Sequence, residues 1–190
     1  MIVAKQKRKE NVSEYVLYMW QIEDTLRALE LNDDAIREYV THNYQVDSTQ
    51  LEDIIQWYFE MAEEMRSREL LREGHLRRVE EVMELMTMVH RKLLKLPSQA
   101  LYSALYYKTL PTIIQLRSMG GDDVKGEIET CFVGVYGYLT LKLKGEKVSE
   151  ETLQAVKQVS TYLAMLADRV REYEEGRLPL EVKDPTQHQD

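Results

Sequence analysis

The side chains that could bind a metal or carry out catalysis are few, and their spacing excludes common helical metal sites. The chain has four histidines and one cysteine. A di-iron bundle needs Glu-x-x-His pairs, because positions i and i+3 place both ligands on one helix face. None of His42, His75, His90 or His188 has an acidic residue three positions before it, and His-x-x-x-His is also absent. A lone cysteine, Cys131, forms neither an internal disulfide nor a cysteine zinc site. We therefore predict no metal and no cofactor.

Arg37 and His42 show one spacing with a catalytic counterpart, Arg-x4-His on a predicted helix. The spacing resembles the motif of HEPN-type helical ribonucleases, in which the histidine and the arginine act on a phosphodiester. The resemblance covers only these six residues and makes a ribonuclease a second alternative function. The competing interpretation is an exposed arginine and a histidine near a loop, which a match this short favours.

His90 is the histidine most consistent with a buried position. It continues an apolar helical stripe between Met86 and Leu93. One interpretation is a core histidine hydrogen-bonded to a backbone or tyrosine group. The other is a ligand-contacting or pH-responsive side chain in a cleft.

Tyrosine greatly outnumbers phenylalanine, 12 to 2, which favours positions where a ring is buried and its hydroxyl finds a partner. Some of these tyrosines lie on adjacent predicted helices and could share one cleft with His90: Tyr102, Tyr106, Tyr107, Tyr136 and Tyr138. A pocket binding a small molecule, with His90, Tyr102 and Tyr106 as contacts, is one interpretation. Packing at the boundary of the core is the other.

The first thirty residues are predicted to hold a basic start and one long helix with apolar residues on two sides. One stripe runs from Val12 to Leu29 at spacings of three and four, and Trp20 points well away from it. Glu14, Tyr18 and Gln21 form a polar stripe between the two sides. A helix of this kind is either central in a bundle or part of an interface. The polar stripe is therefore a candidate binding site, with structural hydrogen bonding as the alternative.

Helical periodicity and cap residues predict an all-α, single-domain bundle of about six main helices plus one short helix, with mostly antiparallel neighbours. Predicted helix starts lie at Asn32 or Asp33 (the short helix), Asp47, near Gly74, Ser98, Asp122 and Ser149. Predicted helix ends lie before Pro97, at Gly120–Gly121 and at Gly176. Pro111 is expected to kink or restart its helix near Thr109–Leu110.

Cys131–Gly145 is the most ambiguous segment, because its β-branched residues, tyrosines and glycines lower helix propensity. We predict a helix, since no partner strand is evident, and expect Gly134 and Gly137 to mark close approach to a neighbour. We predict a bundle domain over residues 1–176 and a polar, mobile tail over residues 177–190.

Charge and hydropathy bear on the possible partners of the protein and on its location in the cell. The net charge of −8 argues against a nucleic-acid partner, and no run reaches the length of a membrane span. The apolar run after the basic start is bounded by Glu14 and Glu23, which is too short for a signal peptide. We expect a cytoplasmic protein without a membrane partner.

Two segments carry a resemblance to a known family: AKQKRKEN at residues 4–11 and EYVLYMWQIED at residues 14–24. With the initial Met-Ile-Val, they resemble the opening of an uncharacterised bacterial domain-of-unknown-function family, known chiefly from anaerobic gut bacteria. The similarity extends through nearly the whole chain. The resemblance implies an all-helical fold and no established activity, cofactor or catalytic residue.

These observations favour a non-enzymatic cytoplasmic helical protein that binds another protein or forms a homodimer. A bundle that binds a small molecule in a tyrosine-lined pocket is the first alternative.

Overall fold

The computed structural model describes residues 2–119 and 126–180, in which 80% of the residues are helical and none is in a strand. This confirms the predicted all-α class. These described residues contain eight α-helices: α1 (Ile2–Glu10), α2 (Val12–Ala28), α3 (Asp33–Asn43), α4 (Ser48–Ser67), α5 (Arg77–Leu93), α6 (Ala100–Met119), α7 (Glu127–Leu143) and α8 (Glu150–Glu174). A 3-10 turn, Pro97–Gln99, precedes α6.

The helices form two compact units, and the division falls within α5, between Val82 and Met83. In the first unit α1 packs against α2, α3 against α4, and α2 against α4. In the second unit α6, α7 and α8 pack against one another. The predicted single domain over residues 1–176 stays a prediction.

The start of the chain holds two helices where one was predicted, because Asn11 separates α1 from α2. Asn11 has extended backbone angles, φ −154° and ψ 104°, and its side-chain oxygen accepts hydrogen bonds from the backbone N–H groups of Ser13 and Glu14. Asparagine is among the strongest N-cap residues. This break accounts for the one helix more than the sequence predicts.

Most of the other predicted boundaries are confirmed, because they depend on local caps. Asn32, Asp47 and Ser149 accept hydrogen bonds from the first backbone N–H groups of α3, α4 and α8. Gly176 follows α8 with a positive φ of 71°, as a helix-terminating glycine does. The predicted stop at Gly120–Gly121 and cap at Asp122 lie outside the described residues.

The helices around the two prolines differ in part from the prediction. Pro97 begins a 3-10 turn, and Ser98 lies inside that turn instead of capping the next helix. Of the predicted kink or restart near Thr109–Leu110, the restart is wrong, because α6 continues through Pro111 to Met119, and the kink stays a prediction. The helical choice for the ambiguous segment is confirmed by α7 as far as Leu143.

The start of the predicted tail packs against the protein. Leu178 and Leu180 are each only 8% exposed. Residues 181–190 of the predicted tail lie outside the described residues.

Helix α2 is central within the first unit, which explains its two apolar sides. Met19 and Leu26 are fully buried on one side, and Trp20 on the other is 5% exposed. The Trp20 indole stacks on the His75 ring, with centroids 4.6 Å apart. The second apolar side of α2 is therefore covered within the unit.

A pair of arginines joins the ends of α2 and α4 reciprocally. Arg27 of α2 donates from Nε to the carbonyl of Leu70, beyond α4, and Arg66 of α4 donates from Nε to the carbonyl of Leu31, beyond α2. The two segments have related sequences, Arg-Ala-Leu-Glu-Leu at 27–31 and Arg-Ser-Arg-Glu-Leu at 66–70. Each arginine thus satisfies a carbonyl left over at the end of the other helix.

Gly134 of α7 marks close approach to α6, as predicted, whereas Gly137 does not. A Cβ atom at Gly134 would lie 2.8 Å from Cδ1 of Leu116, and a Cβ atom at Gly137 would have no neighbour within 4 Å. Only the first glycine makes room for another helix.

We expect Gly137→Ala to raise the free energy of unfolding by about 0.5–1 kcal/mol, because alanine replaces glycine in a helix interior without a clash. Gly134→Ala should stabilise less or destabilise, because Leu116 must move. Urea unfolding of both variants measures the difference. An equal gain at both positions would contradict the close approach at Gly134.

Candidate functional site

An open groove of about 810 Å³ lies in the first unit, bounded by α1, α4 and the start of α5. The residues that line it are Ile2, Val3 and Lys5 of α1, Tyr44 and Val46 of the loop before α4, Gln50, Asp53, Ile54, Gln56, Trp57 and Glu60 of α4, and Arg78 of α5. It was not predicted, because it is assembled from three helices that are distant in sequence.

Much of the groove's lining is apolar and exposed. Ile2 is 78% exposed, Val3 40% and Val46 41%, and Ile54 and Trp57 are half-buried beside them. A smaller hollow of about 250 Å³ shares Lys5, Trp57 and Arg78 with the groove. Exposed large apolar side chains gathered along one groove, with charged residues at its margin, are typical of an interaction site.

Charged residues of opposite sign lie on different helices of the groove. Lys5 comes from α1 and Arg78 from α5, whereas Asp53 and Glu60 come from α4. Nη2 of Arg78 lies 3.6 Å from a carboxylate oxygen of Glu64. Within residues 2–119 and 126–180, Lys5, Asp53 and Glu60 make no ion pair.

The start of α5, and with it Arg78, is held in place by the buried carboxylate of Glu23. Glu23 is fully buried, and its Oε1 accepts a hydrogen bond of 2.8 Å from the backbone N–H of Leu76. Its Oε2 lies 2.7 Å from Nδ1 of His75. A carboxylate thus caps the helix from across the unit, where a negative charge is favourable.

The importance of Glu23 was missed, since the sequence suggested only that it bounds an apolar run. A signal was nevertheless present. Val16, Trp20 and Glu23 follow one another at spacings of four and three, so Glu23 shares the side of α2 that carries Trp20. An acidic residue within a buried stripe requires hydrogen-bond partners.

The predicted polar stripe on α2 is not assembled into one site. Glu14 is exposed and forms an ion pair with Lys7, with Oε2 and Nζ 2.8 Å apart. Gln21 is exposed as well. Tyr18 is half-buried and hydrogen-bonds to Tyr44, whose hydroxyl in turn lies 2.9 Å from that of Tyr58. Burial and the neighbouring Tyr44 raise the pKa of Tyr18.

The predicted contacts His90, Tyr102 and Tyr106 do come together, in the core of the second unit. Nδ1 of His90 lies 2.7 Å from the Tyr102 hydroxyl and 2.9 Å from the Tyr162 hydroxyl. The Tyr106 hydroxyl donates to Oε2 of Glu127 at 2.9 Å, and Nε2 of His90 lies 3.6 Å from the same oxygen. Tyr162 and Glu127 were missed by the sequence reasoning.

The other three tyrosines predicted for this cleft are more exposed. Tyr107 is 62% exposed, and Tyr136 and Tyr138 are half-buried. The Tyr106 and Tyr107 rings are in contact, with centroids 5.1 Å apart. The cluster is therefore smaller and more deeply buried than the predicted cleft.

The neighbouring groups and burial influence the protonation of His90 and of Cys131. Nδ1 faces two hydroxyls, which can donate or accept, whereas Nε2 faces the Glu127 carboxylate, which only accepts; a neutral ring with its proton on Nε2 suits both sides. Burial lowers the pKa of His90, against the opposing effect of Glu127. Burial also raises the pKa of Cys131 to about 12, so its thiol stays protonated. Such a buried, mutually bonded network stabilises the core.

Arg37 and His42, the residues of the ribonuclease-like spacing, are not arranged to act on a phosphodiester. Arg37 makes two hydrogen bonds to the Glu52 carboxylate, of 2.9 and 3.1 Å, and lies over the Phe59 ring. His42 is exposed. The guanidinium would have to leave Glu52 before it could contact a phosphodiester.

A membrane span and a metal site each place requirements on the described residues. None of the helices in the described parts of the chain is long and apolar enough to cross a membrane. The described residues also contain no cluster of three or more His, Cys, Asp or Glu side chains suited to a metal ion.

The lowered pKa of His90 predicts how stability depends on pH. In the unfolded chain His90 binds a proton near pH 6.5, whereas in the folded protein it does so only at lower pH. The contribution of neutral His90 to the free energy of unfolding is therefore fully present above pH 6.5 and decreases as the pH falls below this value. We expect this histidine to contribute a slope of at most about 1.4 kcal/mol per pH unit. Urea unfolding between neutral pH and about pH 5 measures it.

His90→Gln should be less stable at neutral pH and show a shallower pH dependence, because glutamine does not titrate. His42→Gln, at an exposed position, should keep the wild-type dependence. The same pH profile for wild type and His90→Gln would contradict the account.

The comparisons with known proteins yield one match. The family described as "Domain of unknown function (DUF4924)" matches residues 1–177, nearly the whole chain. No curated protein and no solved structure matches the chain.

Proposed function

The chain belongs to the family Domain of unknown function (DUF4924), and we propose that it is a non-enzymatic, helical, protein-binding module. Its binding site is the groove between α1, α4 and the start of α5. The observation that carries the proposal is the exposure of Ile2, Val3 and Val46 along this one groove.

The composition of the groove suits a helical segment of another chain. An amphipathic helix laid into a groove contributes apolar side chains three and four positions apart. Ile54 and Trp57 of α4 lie three positions apart and are half-buried, so they can pack against such side chains. Lys5, Asp53 and Glu60 at the margin provide charges that set orientation.

The alternatives to protein binding have less support. A tyrosine-lined small-molecule site would use His90, Tyr102 and Tyr106, but their polar atoms bond to one another and to neighbouring side chains. A ribonuclease would use Arg37, which is engaged by Glu52.

A cytoplasmic location is part of the proposal. The single cysteine, Cys131, is buried and free, and a chain with one cysteine has no internal disulfide to form. A protein without disulfides fits a reducing compartment.

A photo-crosslinking amino acid at Val46, in the groove, tests the proposal in the native cell. We expect irradiation to give an adduct of defined mass, because the partner covers this position. The same amino acid at Ala28, exposed on α2 outside the groove, is the matched control and should give none. The absence of any protein adduct at Val46, or equal adducts at both positions, would overturn the proposal.

A further inference from the structure

We propose that the occupant of the groove is a second copy of this chain, related by a two-fold axis that places α1 of each copy against α4 of the other. This inference rests on the proposed function of the groove as a protein-binding site, and it names the partner.

Charge complementarity between α1 and α4 is the first argument. Of the charged residues on these two helices, Lys5 of α1 lines one wall of the groove, and Asp53 and Glu60 of α4 line the other. A two-fold axis brings the positive wall of one copy to the negative wall of the other, and it does so twice. A groove with walls of opposite sign is therefore complementary to itself.

Three of the four charged residues that line the groove have no ion pair within the described part of the chain, and the fourth, Arg78, pairs with Glu64. Some other charged residues of α1 and α4 are paired within the chain: Lys7 with Glu14, Glu52 with Arg37, and Glu63 with Arg66. Lys5 on one wall, and Asp53 and Glu60 on the other, have no ion pair within residues 2–119 and 126–180. Pairing Lys5 of each copy with Asp53 and Glu60 of the other would give all three side chains an ion-pair partner.

The apolar residues fit the same arrangement. Ile2 and Val3 lie on α1 with Lys5, so a copy whose Lys5 meets the opposite α4 also brings both apolar side chains to that groove. There they can cover Val46 and Trp57. Each copy supplies and receives the same side chains, as an isologous interface requires.

A nucleic acid is the competing occupant suggested by the basic α1, and the other wall argues against it. Phosphates would be attracted by Lys5 but repelled by Asp53 and Glu60 in the same groove. A second copy satisfies both walls at once.

Charge reversal in the full-length protein tests the pairing. We expect wild type to be a dimer in sedimentation equilibrium. Lys5→Glu and Asp53→Lys should each raise the dimer Kd by roughly tenfold or more, because like charges then face each other at two symmetric places. Lys9→Glu is the matched control, with the same charge change on α1 at an exposed position outside the groove, and should leave Kd unchanged.

Mixing the two single variants is the decisive step. In the heterodimer the side chain introduced by Lys5→Glu faces the one introduced by Asp53→Lys, so these two carry opposite charges. At the symmetry-related position Lys5 of one chain faces Asp53 of the other, as in the wild type. The mixture should therefore dimerise near the wild-type Kd. Helical circular dichroism verifies that each variant is folded. A wild type that stays monomeric at every concentration, or a mixture no tighter than either single variant, would overturn the inference.

The mass of the crosslinked adduct at Val46 distinguishes an error in the identity of the partner from an error in the proposed protein-binding function. An adduct with twice the mass of the chain supports the second copy. An adduct of another mass, with a monomeric wild type, keeps the groove as a protein-binding site and rejects self-association. The absence of an adduct rejects both.

Discussion

The buried carboxylate of Glu23 is the interaction on which the first unit depends. A carboxylate without solvent exposure costs several kcal/mol unless its oxygens are hydrogen-bonded. The Leu76 backbone N–H and the His75 ring meet this need, and Trp20 stacks on the same ring. These contacts fix the start of α5 against α2, which places Arg78 at the groove. The position of Arg78 at the groove thus follows from the satisfaction of one buried charge.

The remaining walls of the groove have equally local causes. Asn11 stops α1 and starts α2, so the basic first helix takes its own direction instead of continuing the central helix. Arg27 and Arg66 satisfy carbonyl groups at the ends of each other's helices and join α2 to α4. Neither arginine lines the groove, but both hold the helix that forms its acidic wall.

The helices were largely predictable from the sequence, whereas the groove was not. Caps such as Asp47 and Ser149 act within a few residues, so sequence alone locates them. The break at Asn11 was missed because its capping role was not recognised, although Asn11 directly precedes the apolar stripe and asparagine is a strong N-cap residue. Periodicity could place His90, Tyr102 and Tyr106 near one another, but Tyr162 joins them only through the packing of α8. The groove requires three helices to meet, and no local pattern reports that.

In the proposed dimer this groove is the contact between two copies of the chain. Amide hydrogen exchange of the wild-type protein at low and high concentration tests it most directly, because α1 is short and opens easily unless covered. We expect exchange to slow with rising concentration in residues 2–10 and in the α4 residues of the groove, and to stay unchanged in α8. Exchange in α1 and α4 that does not depend on concentration would contradict it.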